Sequence, residues 1–209
     1  MPRAGGRPPA GRCCHGYSLA AGPDRSLVLF RHAKSAWPDV PDHDRPLAGR
    51  GIRAAPVMGR WLRDAGLVPD LVLCSTARRA RETWQHAQTG LAAAPPVTFD
   101  ARVYEAAAAD LLALIHEVPP TAGTLLVIGH NPGIGDLAVL LAAAAFGAAG
   151  PGPGAPGPGD LERMRAKFPT AAIAVLAHAG TWPDLAPRRA RLTAFVTPRD
   201  LDSGPATGS

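Results

Sequence analysis

Residues 27–37 read LVLFRHAKSAW, a short apolar run that ends abruptly in charge. Four consecutive apolar residues, Leu27, Val28, Leu29 and Phe30, are the mark of a strand buried on both faces. The run stops at Arg31 and His32. A buried strand that ends in a guanidinium and an imidazole needs a reason, and open α/β sheets supply one, because ligands collect beyond the carboxyl ends of their strands.

Working outward, further strand-like runs recur at 26–30 (SLVLF), 70–74 (DLVLC), 124–129 (TLLVIG), 172–179 (AIAVLAHA) and 191–196 (RLTAFV). Helix-length segments separate most of them. Ile52, Ala55, Gly59, Leu62 and Ala65 fall at helical spacing, although Pro56 is expected to kink or delay that helix. Residues 78–91, 107–117 and 134–147 also read as helices. This alternation predicts the α/β class, an open, mostly parallel sheet with helices on both faces. Residues 1–25, rich in Gly, Pro and Arg, are expected to form a disordered leader. The stretch GAAGPGPGAPGPGD at 147–160 reads as a surface excursion within one domain spanning 26–201, and 202–209 as a flexible tail.

The chain has 209 residues and a formal charge of +5. The charge does not form a nucleic-acid footprint. Arg3, Arg7, Arg12 and Arg25 against Asp24 place +3 of it in the first 25 residues, which leaves +2 for the remainder. Cys13, Cys14 and Cys74 have neither disulfide-framework nor zinc-like spacing, there is no signal-peptide pattern, and no run is long enough to span a membrane. A cytoplasmic protein without a nucleic-acid or membrane partner is expected.

Three strand ends carry polar residues suited to one chemistry. The first delivers Arg31 and His32; the second delivers Ser75 and Thr76, then Arg78, Arg79 and Arg81 at a helix start; a later one delivers His130 and Asn131. Guanidinium forks bind phosphate oxygens bidentately, helix N-termini add backbone donors, and a neutral imidazole can attack phosphorus. Each piece alone has a plain structural reading, as a strand-closing histidine or a solvated helix face. Together they point to a phosphoryl group.

RHAKSAW, DHDRPLAGRGIRAA, CSTARRARET, VYEA, VIGHNPGIGDLA and FPTAAIAVL, in that order from residue 26 to 201, resemble the histidine phosphatase superfamily and its SixA-like phosphohistidine phosphatase branch. The resemblance implies a phosphoglycerate mutase-like fold and a phosphatase that works through a phosphohistidine intermediate with no cofactor or metal. It implies His32 as nucleophile and His130 as a second catalytic imidazole, with Arg31, Arg79 and Asn131 binding substrate. Arg79 is chosen because Arg79, Ala80 and Thr83 match the family's Arg-Ala-x-x-Thr pattern. Glu105, the Glu of VYEA, is the candidate proton donor. The implied partner is a phosphorylated protein or a small phosphorylated substrate.

Three other readings stay open on the sequence. Gly133, Gly135 and Ala138 spell G-x-G-x-x-A after a strand, a weak dinucleotide signal. His32, His43, Asp44 and His130 are the donors that a metallohydrolase would use. A phosphoprotein-binding module would keep the pocket without turnover.

Overall fold

The computed structural model describes residues 25–91, 94–142 and 159–202. Its chain order is β1 (Arg25–Arg31), α1 (Gly49–Asp64), β2 (Leu71–Ser75), α2 (Arg78–Ala87), β3 (Val97–Asp100), α3 (Ala108–His116), β4 (Thr124–Gly129), α4 (Gly133–Leu141), α5 (Asp160–Ala166), β5 (Ile173–His178), β6 (Arg191–Val196) and α6 (Pro198–Asp202). The strands form one six-stranded sheet in the order β3-β2-β4-β1-β5-β6. β1 lies parallel to β4, and β2 parallel to both β4 and β3, whereas β5 runs antiparallel to β1 and β6.

β1 shows why the run at 27–30 had to be apolar throughout. Leu27 and Leu29 face one core, with Leu111, Ile115, Ile134 and Leu137 of α3 and α4, while Val28 and Phe30 face the other, with Met58, Leu62 and Trp84 of α1 and α2. All four are fully buried. Helices therefore cover both faces, and the parallel strands bring the ends of β1, β2 and β4 to one edge of the sheet.

The structure corrects the sequence reading in several places. α1 starts at Gly49 and runs through Pro56 without interruption, so the proline neither breaks nor delays it. Proline removes one rung of the helical ladder, and the partner it leaves is the carbonyl of Ile52, a residue that is itself exposed. Burial of Ala55, Met58, Gly59 and Leu62 on the inner face holds the helix together across that gap. β3 had no strand-like signal because it is a four-residue edge strand with Phe99 exposed, so it lacks the apolar run of an inner strand. α5 begins at Asp160, inside the stretch read as an excursion, and α6 closes the domain after β6. The rest of that excursion, the leader before Arg25 and the tail beyond Asp202 lie outside the described residues.

Candidate active site

At the end of β1 the chain leaves the sheet with its backbone still held. Arg31 N donates to Ala172 O and His32 N to Gly129 O, so strands on both sides of β1 fix the two residues. The Ala33 amide donates to Thr83 Oγ1 at 2.9 Å, and that hydroxyl donates to Arg79 O at 2.6 Å. Thr83 lies one turn after Arg79 on α2, so this pair of bonds ties the helix carrying Arg79 to the loop that follows His32. Gly51 lets α1 approach the same loop, since a Cβ there would fall 2.3 Å from Lys34 O.

His32 is buried, and its Nδ1 lies 2.8 Å from Ala33 O. A carbonyl only accepts, so in the neutral ring Nδ1 carries the proton and Nε2 keeps its lone pair. Burial pushes the His32 pKa down to about 4, opposed in part by the bond to Ala33 O and reinforced by the charges of Arg79, Arg31 and Arg45. His130 packs beside it with ring centroids 5.0 Å apart. Ser75 Oγ accepts from the Ala77 amide at 3.2 Å and lies 2.8 Å from His130 Nε2. With the hydroxyl donating to Nε2, the imidazole proton of His130 sits on Nδ1. That nitrogen is buried without a partner. Burial, the neighbouring His32 and Arg79 hold the His130 pKa down to about 3.

Arg79 is buried and donates to both the backbone carbonyl and, at 2.8 Å, the carboxylate of Asp42. Asp42 is the hub of the pocket wall. Arg45 donates to it at 2.8 Å and the Tyr104 hydroxyl at 2.8 Å, and these partners, Arg45 foremost, hold its carboxyl far below the usual carboxylate range. Arg45 also donates to Ala36 O and Ser35 Oγ. The Tyr104 ring stands edge-on to His130 at 5.4 Å, which closes a ring of side chains around the two imidazoles.

Of the residues singled out in the sequence, His32, His130, Arg31 and Arg79 converge. Arg31 Nη1 donates to Phe168 O at 2.7 Å, its Nε is buried and unpartnered, and burial lowers its pKa. Asn131 Nδ2 donates to the same Phe168 carbonyl at 3.1 Å, so Asn131 sits on the Arg31 side of the pocket. Glu105 is exposed at the rim, next in sequence to Tyr104. Its backbone is left-handed, with φ 55°, an uncommon state for a residue with a Cβ. Gly133 braces this loop from below, because a Cβ there would fall 2.0 Å from Ala106 O. Asp42 and Arg45 carry no signal of their own in the sequence beyond the stretch DHDRPLAGRGIRAA. Nothing in their spacing says that they face His32, since only the packing of the 42–45 turn on α2 brings them there.

The same geometry bears on two competing readings. Gly133 and Gly135 are needed for close packing, against Ala106 O and beside Phe168 and Asn131, which accounts for both without a pyrophosphate turn. His43 turns aside to Thr76 Oγ1 at 3.0 Å and to Asp44, and among the described residues no three His, Cys, Asp or Glu side chains group as metal ligands. Also among the described residues, no helix is long and apolar enough to cross a membrane.

The fold is of the phosphoglycerate mutase-like α/β class, with an imidazole pair and guanidiniums at the carboxyl edge of its parallel strands. Residues 27–120 match the histidine phosphatase superfamily (branch 1). A solved structure described as a candidate phosphohistidine phosphatase SixA of Nakamurella multipartitia superposes with TM-score 0.70 and 34% identity, over 85% of this chain and 98% of that one. A second candidate SixA, from Agrobacterium tumefaciens, gives TM-score 0.65 and 28% identity over 85% and 99%. An uncharacterized protein of Mycobacterium tuberculosis is 46% identical over 171 residues, 81% of this chain and all of the relative. The chain belongs to the histidine phosphatase superfamily.

The depressed histidines make a measurable prediction. Both rings are neutral in the fold, whereas in the unfolded chain they take up protons below about pH 6.5. Stability contributed by their neutrality is therefore full above pH 6.5 and is lost as pH falls towards 4. Between pH 8 and pH 5 each ring is expected to cost on the order of 1–2 kcal/mol. Urea unfolding of His130→Asn at the two pH values should show a smaller acid loss than the unaltered chain. Equal losses would mean that His130 titrates normally.

Proposed function

We propose that this protein is a phosphatase that forms a phosphohistidine intermediate on His32 and removes phosphate from phosphohistidine on a protein. The observation that carries the reading is the His32 tautomer, with Nδ1 committed to Ala33 O and the Nε2 lone pair left free among three guanidiniums. Nε2 attacks phosphorus as the bond to the leaving group breaks. Arg31, Arg79 and His130 hold the equatorial oxygens as charge shifts onto them. A water then attacks the phosphorus of the phosphohistidine, its proton leaves to solvent or to the rim, and the imidazole returns to its neutral form. No step here calls for a metal, and the protein is read as cytoplasmic.

The similarity to candidate SixA proteins favours phosphohistidine over small phosphoesters as substrate. The deciding experiment compares turnover of a phosphohistidine protein with that of a panel of small phosphoesters, with and without chelator. Faster phosphoester turnover would transfer the reading to small substrates. Binding without turnover on any of them would leave a phosphoprotein-binding module, and loss of activity in chelator would require a metal.

Glu105 is assigned as the proton donor for substrates that need one. An alkyl phosphoester expels an alkoxide unless an acid protonates it, whereas phosphohistidine leaves as neutral imidazole once its own ring is protonated. Glu105→Gln should therefore depress kcat/KM strongly for alkyl phosphoesters and only slightly for phosphohistidine. Equal losses on both substrates would assign Glu105 to positioning Tyr104, and no loss on either would make it an ordinary surface carboxylate.

A further inference from the structure

Beside the imidazole pair, on the far side of Arg31, lies a cavity of about 310 Å³ between α4 and the end of α5 with the two residues that follow it. Arg31 and Asn131 form its boundary with the phosphoryl site, and Asp136, Arg165, Lys167 and Phe168 contribute to the rest of its lining. Its volume is at the lower end of the ~300–1,000 Å³ of small-ligand pockets, room for a short chain bearing one polar group. The lining carries three cations and one carboxylate. Arg165 and Lys167 are exposed at the mouth and take no hydrogen-bond or ion-pair partner among the described residues. Deeper in, Arg31 Nε and Asn131 Oδ1 are buried without partners. Like charges facing one cavity raise each other's energy, and an entering anion relieves all three at once.

We propose that this cavity is the subsite for a second anionic group, a carboxylate or a phosphate, carried by the substrate a short distance from the phosphoryl group taken by His32. Arg31 joins the two sites. Its Nη1 is pinned on Phe168 O, which fixes the guanidinium, and its charge, in the wall between them. The inference rests on the reading of the His32 pocket as a phosphoryl site, but it makes a separate claim. The substrate is recognised by two negative groups, not by phosphate alone, and the group can come from a small molecule or from an acidic residue beside a phosphohistidine.

The test uses two series. One is a set of alkyl phosphates of increasing length that end in a carboxylate or in the matching carboxamide. The other is a set of phosphohistidine peptides with Glu or Gln at the neighbouring positions. At one length or position the charged member should be preferred about tenfold in kcat/KM, the scale of two exposed ion pairs acting together. In Arg165→Ala/Lys167→Ala the ratio of charged to neutral should fall to near unity, and in Asp136→Asn it should rise. A merely structural role for these residues would shift both members of a pair alike. The corresponding alkyl phosphonates, measured for binding alone, read the subsite even where turnover is absent, so failure of the phosphatase reading and failure of the subsite are told apart. A preference in the alkyl series alone assigns a small substrate, and a preference in the peptides alone assigns a protein. No preference in either series, or one indifferent to all three substitutions, overturns the proposal.

Discussion

His32→Ala should turn over no phosphohistidine protein and trap no phosphate on the chain. The expected loss in kcat is on the order of 10⁴-fold or more, the scale on which removing a nucleophile acts. During turnover the unaltered chain should carry phosphate that is labile in acid and stable in base, the signature of a phosphorus–nitrogen bond. The variant should fold, because the side-chain bond it removes is the local one to Ala33 O, and the backbone of residue 32 stays held by Gly129 O. Its melting temperature separates a chemical loss from an unfolded one. Full turnover in the folded variant would sink the mechanism.

The apolar run at 27–30 was legible because a strand with a core on each face has no polar position to spare, and the structure uses both faces. The four convergent residues were legible for a related reason. Parallel strands deliver whatever follows them to the same edge, so Arg31, His32, Arg79 and His130 could be brought together from topology alone. The wall formed by Asp42, Arg45 and Tyr104 could not. Those residues lie in connections between the elements, where no periodicity records which way a side chain turns, and their meeting depends on contacts 62 residues apart in the chain, as between Tyr104 and Asp42. β3 escaped for want of an apolar face, and Pro56 misled because its local cost is outweighed by the packing of α1. Local rules failed where tertiary burial supplied the larger energy.

Arg79 and Arg78 stand side by side in the sequence, and the structure gives them opposite surroundings. Arg79 is buried, donates to Asp42 through two nitrogens, and lowers the pKa of His32 by its charge. Arg78 is exposed and paired with Glu82 one turn along the helix, at 2.7 Å. A guanidinium held in place before the reaction stabilises charge developing on the phosphoryl oxygens without having to reorganise. Arg79→Ala should therefore lose on the order of 3 kcal/mol of transition-state stabilisation, read as the change in kcat/KM. Arg79→Lys should recover little of it, since an ammonium cannot span the carbonyl and carboxylate of Asp42 and still present a flat fork to phosphate. Arg78→Ala removes a surface pair worth about 0.5 kcal/mol of stability and touches nothing in the pocket, so its kcat/KM should stay within about twofold. Comparable losses in the two alanine variants would mean that the phosphate is held from the outer face of α2, and Asp42 would then have no reason to be anchored by three partners.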